Sequence, residues 1–258
     1  KVAFVGSFNL IDRGYLMPGH VRAGRQWVDT FAELEGPIVE SIESMFAVDW
    51  YTESGERLDV VGASGETSIS NGDVLQLVPS GPGYLTEPNL RMFNSIVHNA
   101  KEQLTLCSPY FVPEESLLEA ITSACYRGVR VDLFVGEKAD QFMVHHAQSA
   151  YYEALLKAGV RIWEFPAPYV LHSKFVLADP GREGAVGVLG SSNMDIRSFS
   201  LNYESSLLVA SGELITALEQ LGANYQAVSR ELTLERWARR PWYRRYVDNV
   251  LKLTSALQ

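Results

Sequence analysis

Short apolar runs along this chain alternate with longer segments whose apolar residues recur every three or four positions. The short runs predict strands at 2–5, 74–79, 104–108, 129–135 and 160–165. The longer segments predict helices at 38–49, 88–102, 114–126, 140–158 and 213–231, because a 3.6-residue period lines such positions along one face. Leu90, Phe93, Ile96 and Val97 form the inward stripe of one helix, and Ile38, Ile42, Met45 and Phe46 that of another. Glu35-Gly36-Pro37, Gly128 and Gly159 punctuate the pattern as breakers do. Strands alternating with helices predict an α/β fold, a mixed sheet flanked by helices on both faces. Residues 51–73 are polar and Gly/Ser-rich with little to bury. A boundary is placed there, dividing a first unit, 1–68, from a second, 69–258.

The pattern changes character near the middle of the second unit. Leu171 to Ala178 reads as one strand, with His172, Lys174 and Val176 on one face because strand side chains alternate. Asp179-Pro180-Gly181, with Gly184 close behind, is turn chemistry, and Ala185 to Leu189 reads as the returning strand of a hairpin. Just beyond it, Ser191 and Asn193 share a side. Such a hairpin gathers imidazole, ammonium, hydroxyl and carboxamide around one small anion. The ammonium and the polar hydrogens would offset the charge that grows on a phosphate in its transition state. The imidazole can be a nucleophile or a proton donor. It needs an acceptor on its other ring nitrogen, and Glu204 is the candidate. A lone His on a strand is commonly structural, but the whole string H-x-K-x4-D…G-S-x-N is far rarer by chance.

Composition narrows the options. The chain has 258 residues, 47% of them hydrophobic and 21% charged, as globular domains do. Its two cysteines give neither a disulfide framework nor a metal set, and no metal or other cofactor is expected. His20, His98, His145 and His146 make no metal-ligand spacing. A net charge of −9 disfavours nucleic acid as a partner, since that affinity comes largely from phosphate neutralisation. The last 25 residues, Leu234 to Gln258, run against this balance, with six Lys/Arg and two acidic residues interleaved with Trp237, Trp242, Tyr243 and Tyr246. Arginine among aromatics suits a lipid headgroup interface; a segment docked on its own domain is the alternative. No apolar run approaches the roughly 18 residues of a spanning helix.

The string resembles the HKD signature of the phospholipase D superfamily, H-x-K-x4-D-x6-G-S/T-x-N. Ten residues, not six, separate Asp179 from Gly190, and the extra residues fall in the turn, which implies a longer loop and an intact site. The continuation N-M-D-I-R-S-F-S-L-N-Y-E (193–204), Ser108-Pro-Tyr-Phe-Val-Pro113 and Tyr151-Tyr152 resemble the bacterial cardiolipin synthases within that superfamily. The resemblance implies a phospholipase D-like fold of two pseudo-twofold halves, each with one motif. Gly6-Ser7-Phe8-Asn9 fits the tail of the first motif, and Ser7 and Asn9 are then phosphate-binding candidates beside Ser191 and Asn193. The first motif's own His, Lys and Asp would lie upstream of Lys1, so residues 1–68 are expected to be what remains of the first half. The resemblance makes Asp29 the candidate orienter of that absent histidine.

It further implies phosphatidyl transfer between two phosphatidylglycerol molecules through a phosphohistidine, with release of glycerol. His172, Lys174, Asp179 and Glu204 form the catalytic set, Asp179 as a brace more than a substrate contact. The parent protein would work at the bacterial cytoplasmic membrane, and this chain alone is expected to be nearly inactive without an upstream segment or a second chain. Hydrolysis by a phospholipase or nuclease is the enzymatic rival. A noncatalytic lipid-binding remnant is the rival from another class.

Overall fold

The computed structural model describes residues 1–12, 14–60, 72–138, 142–241, 247, 248 and 250, without the side chain of residue 142. The stretch expected as a first unit is small, and its Val5, Ala32 and Leu34 join a core cluster with residues of the expected second unit. Strands β1 (Val2–Gly6) and β3 (Phe31–Glu35) pair antiparallel. Between them lie the short helix α1 (Pro18–Arg22) and strand β2 (Gln26–Val28). Helix α2 (Ile38–Ser54) runs five residues past the expected end, to left-handed Gly55, where a glycine escapes the Cβ penalty. The boundary expected within 51–73 falls largely outside the described residues.

The second unit is built on β4 (Val74–Ser80), α3 (Pro88–Asn99), β5 (Gln103–Cys107), β6 (Phe111–Val112), α4 (Glu115–Tyr126), β7 (Arg130–Gly136), α5 (Phe142–Ala158) and β8 (Arg161–Phe165). There follow β9 (Tyr169–Leu171), β10 (Phe175–Ala178), β11 (Val186–Gly190), β12 (Met194–Asp195), α6 (Ile196–Ser200), β13 (Glu204–Ser211), α7 (Glu213–Val228), β14 (Arg230–Leu232) and α8 (Leu234–Ala238). An eight-stranded mixed sheet runs β14-β8-β7-β5-β10-β11-β13-β4. β5, β7 and β8 are parallel, and the remaining ladders are antiparallel. Apolar side chains fill both faces. Phe93, Ile121, Leu155 and Val176 belong to one cluster, under α3, α4 and α5. Phe175, Leu177, Leu207 and Leu218 belong to the other, under α7. This is the expected α/β sheet with helices on both faces.

Two expectations about elements are corrected. The strand read as continuous from Leu171 to Ala178 is broken, since β9 ends at Leu171 and β10 begins at Phe175. β9 leaves the large sheet to pair in parallel with β2, joining Val28 to Leu171. The three residues released between the ladders are His172, Ser173 and Lys174. The helix read over 213–231 ends at Val228, and Arg230 to Leu232 adds the edge strand β14 beside β8.

The described part of the basic C-terminal segment is docked on the domain. Trp237 is buried and meets the Tyr152 ring at 5.1 Å. Arg236 pairs with Glu164, and Arg240 with Asp248, both at 2.7 Å. Arg230, Arg236 and Arg240 around the 430 Å³ cavity there already hold carboxylates, so it reads as a structural ion-pair network. Trp242, Tyr243, Arg244, Arg245, Tyr246 and Lys252 lie outside the described residues. Among the described residues, no helix is long and apolar enough to cross a membrane.

Candidate active site

Two loops of the same design face each other. In the second unit, Gly190 ends β11 against β13. A Cβ on Gly190 would stand 2.2 Å from Ser205 O, so only glycine fits. That closeness lets Ser191 N–H donate to Ser205 O and Ser205 N–H donate back to Ser191 Oγ, both at 3.0 Å. Ser191 Oγ–H then donates to Glu204 Oε2. The first unit repeats each contact. A Cβ on Gly6 would stand 2.2 Å from Thr30 O. Ser7 N–H donates to Thr30 O and Thr30 N–H donates to Ser7 Oγ, both at 3.0 Å. Ser7 Oγ–H donates to Asp29 Oδ1 at 2.7 Å. Asp29 is thus the structural counterpart of Glu204, and Gly6-Ser7-Phe8-Asn9 the counterpart of Gly190-Ser191-Ser192-Asn193.

The carboxylates do not serve the partners the sequence suggested. His172 Nδ1 sits 2.6 Å from Asp29 Oδ1; Glu204, the expected orienter of His172, instead accepts from Ser191 and from Ser198 Oγ, the latter at 2.9 Å. The reason lies in the parallel β2–β9 pairing, which brings Val28 beside Leu171 and so sets Asp29 next to His172. His172 N–H donates to Val28 O at 2.9 Å. Beneath it, Ser173 Oγ donates to Val28 O (3.1 Å), accepts from Thr30 Oγ1 (2.8 Å) and meets the Tyr225 hydroxyl (2.7 Å). Asp29 was assigned to a different, absent histidine; here it holds His172.

Lys174 is 5% exposed, and its ammonium donates to His172 O at 2.7 Å. Burial pulls its pKa down to about 8, against the pull of the Asp29 and Glu204 carboxylates. At Asp29 burial opposes the charge, but bonds from His172 and Ser7 and the nearby cations outweigh it, and the carboxyl stays below its usual range. At Glu204 burial wins over the bonds from Ser191 and Ser198, and its carboxyl is raised. These directions follow from where opposite charge stands close enough to offset desolvation.

Asp179 does not belong to this cluster. It sits past the far end of β10, in left-handed backbone (φ 50). Its carboxylate accepts the backbone N–H groups of Lys101, Glu102 and Gln103 at 2.8–2.9 Å. It pins the start of β5 to the hairpin. The catalytic placement is therefore corrected, while the bracing role agrees with its bonds. The polar cavity, about 240 Å³, is lined by Ser7, Asn9, Tyr15, Tyr110, His172, Lys174, Ser191, Asn193 and Glu204. His172 is the one histidine lining it among the described residues. Sequence reasoning missed Tyr15 altogether. It reaches the cavity from a left-handed turn (φ 51), stacks on Trp27 at 4.4 Å and meets the His172 ring edge-on at 6.0 Å.

Fold and paired loops are those of the phospholipase D class. The chain belongs to the family described as "Cardiolipin synthase, PLD-like domain", whose model matches residues 94–223. A cardiolipin synthase A of Yersinia pseudotuberculosis is 35% identical over 264 residues, covering 99% of this chain and 52% of that protein. The chain thus spans about half the length of the curated relatives it matches. Among solved structures, phosphatidylserine synthase from Haemophilus influenzae superimposes over 96% of this chain and 66% of its own, at 17% identity and a TM-score of 0.65. Nuc from Salmonella typhimurium, a phospholipase D family member, covers 62% of this chain and 99% of its own, at 16% identity and a TM-score of 0.52. At such identities the likeness of the solved structures is one of fold.

Proposed function

We propose that this chain carries one half of a two-histidine phosphatidyltransferase site of the cardiolipin synthase type. The observation that carries the reading is the Asp29–His172 bond of 2.6 Å set inside duplicated Gly-Ser-x-Asn loops. Asp29 holds His172 by Nδ1 and leaves Nε2 for the substrate. Lys174 supplies positive charge to the phosphate oxygens, and the polar groups of Ser7, Asn9, Ser191 and Asn193 surround them. Glu204, as the counterpart of Asp29, holds a second histidine supplied from beyond these 258 residues or from a second copy.

In this reading one histidine attacks the phosphorus of phosphatidylglycerol. The phosphorus–oxygen bond to the headgroup glycerol breaks, and the other histidine protonates the departing oxygen. The hydroxyl of a second phosphatidylglycerol, losing its proton to that same histidine, then attacks the phosphohistidine, giving cardiolipin and a free imidazole. His172 is assigned as the general acid and base. The parent protein works at a membrane, with phosphatidylglycerol as its lipid, and the chain alone turns over slowly or not at all.

The test is product analysis after incubation with phosphatidylglycerol vesicles, for the chain alone and for its full-length parent. Cardiolipin plus glycerol from the parent, abolished by His172→Ala, supports transfer. Phosphatidic acid as the main product makes it a hydrolase. Full activity of the chain alone overturns the half-site reading.

A further inference from the structure

The described residues of 8–25, which include the short helix α1, are polar toward the cavity and apolar outside. Asn9 and Tyr15 line the catalytic cavity, while Leu10 is 98% exposed, Leu16 77%, Val21 65% and Met17 57%. A single exposed apolar side chain is ordinary, but four within twelve residues beside a functional cavity mark a contact surface. The backbone enforces the arrangement. Tyr15 and Leu16 are both left-handed (φ 51 and 58), and the Asp12 carboxylate accepts from the N–H groups of Gly14 and Leu16 at 3.1 and 2.8 Å. Tyr15 turns inward onto Trp27, so its neighbour Leu16 stands outward.

Charge adds direction. Arg13, Arg22 and Arg25 against Asp12 make this stretch +2 within a chain of net charge −9. Arg25 also shares, with Lys138, the wall of an adjoining, mainly apolar groove of about 180 Å³ beside Pro168 and Tyr169.

We propose that this loop is a bilayer contact that seats the catalytic cavity on an anionic membrane. Leu10, Leu16, Met17 and Val21 enter the boundary between headgroups and acyl chains, and the exposed Arg22 meets headgroup phosphates. This rests on the phospholipid reading of the site. A bilayer is favoured over a protein partner because the surface is continuous with the cavity. A two-chain lipid whose phosphate reaches His172 leaves its acyl chains at this rim. The contact is distinct from the basic C-terminal segment, whose described part is docked on the domain.

The test is flotation with vesicles of phosphatidylglycerol or phosphatidylcholine. The protein binds the anionic vesicles more tightly, and Leu10→Asp with Met17→Asp weakens that binding about tenfold or more. Tyr126→Asp, which charges an exposed aromatic side chain at the end of α4, leaves it unchanged. Leu10→Trp adds a fluorescence component that brominated phosphatidylglycerol quenches, and this variant decides if the double substitution fails to fold. Equal binding by a folded double variant, equal loss in Tyr126→Asp, or no added quenching overturns the proposal; the last result would mean that polypeptide covers the loop. His172→Ala keeps the quenching while ending turnover. Quenching without wild-type turnover in the parent would sink the catalytic reading and leave the loop contact standing.

Discussion

Lys174 offers a quantitative check on the electrostatics of the site. Its pKa is about 8 in the fold against 10.5 unperturbed, with burial as the main cause. Between those two values the unfolded chain binds more protons than the folded one. Stability therefore rises with pH across this window, by up to about 1.4 kcal/mol per unit. Below pH 8 the full penalty of burying the charge is present, and it amounts to about 3 kcal/mol. Lys174→Met removes that penalty but leaves His172 O without its donor, a loss of about 1 kcal/mol. At pH 7 the variant should be more stable than wild type by about 2 kcal/mol. The difference should shrink above pH 8 and change sign near pH 10. Urea unfolding at pH 7, 8, 9 and 10 on both proteins measures it. Taking the difference cancels the buried Tyr152, whose raised pKa pushes the slope the other way. Parallel pH profiles would refute a buried charged lysine. A stabilised variant without turnover would show that the site retains this charge at the expense of stability.

Four further outcomes follow from the bonds described. Asp29→Asn should reduce turnover of the complete enzyme on the order of 10⁴-fold, as loss of a histidine-orienting carboxylate does, while the melting temperature moves by only a few degrees; an unchanged rate would remove Asp29 from the mechanism. Glu204→Gln should lower turnover to a similar extent, although Glu204 makes no bond to His172; a purely structural role would leave the rate of the folded variant near wild type. Asp179→Ala should destabilise the fold by about 3 kcal/mol by stranding three backbone N–H groups. Burial opposes the Asp179 charge, but its backbone bonds and Arg182 hold its carboxyl below the usual range. That stability is present above about pH 4 and lost on acidification, so the variant's acid-unfolding limb should be flatter, and identical acid limbs would contradict the bracing role. Gly190→Ala should cost about 3 kcal/mol by forcing β11 from β13, measurable by urea unfolding, whereas Gly181→Ala, strained only by its φ of 74 with open space around it, should cost about 1 kcal/mol.

The legible part of the site was its local part. His172, Lys174, Ser191 and Asn193 fall within 22 residues, and alternation with turn chemistry suffices to bring them together. The acceptor of His172 was not legible, because Asp29 lies 143 residues away and reaches it only through β2 pairing with β9. Both strands are three residues long, too short for periodicity to announce. The two carboxylates were found, but each was assigned to the histidine of its own motif, whereas Asp29 bonds His172. Asp179 was misplaced for a geometric reason. Five residues of extended chain beyond Lys174 carry it roughly 16 Å away, to the other end of the hairpin. Tyr15 gave no signal, since a left-handed turn has no period. Strands β5, β7, β8 and β10 were read well because they are largely buried, so they appear as nearly continuous apolar runs. Strand β13, which opens on Glu204-Ser205-Ser206, and the edge strand β14, at a helix end and mostly polar, were not.

The two serine–carboxylate units share their backbone contacts, yet their carboxyl pKa values are shifted in opposite directions. Asp29 is bonded to His172 and held below its ordinary range; Glu204 is bonded by Ser191, Ser198 and Asn202, and burial pushes it above that range. Both are part-buried, and both lie near Lys174. What separates them is an imidazole on one side and none on the other. A buried carboxylate without a directly bonded cationic partner is costly, and folds retain such groups chiefly at functional sites. On the proposed two-histidine reading, Glu204 is the residue that a second histidine would meet. A histidine arriving against it should lower its pKa toward that of Asp29, releasing a proton and tightening the complex as pH rises through the raised value. On that reading, the symmetry that places Asp29 on His172 would place the second histidine against Glu204.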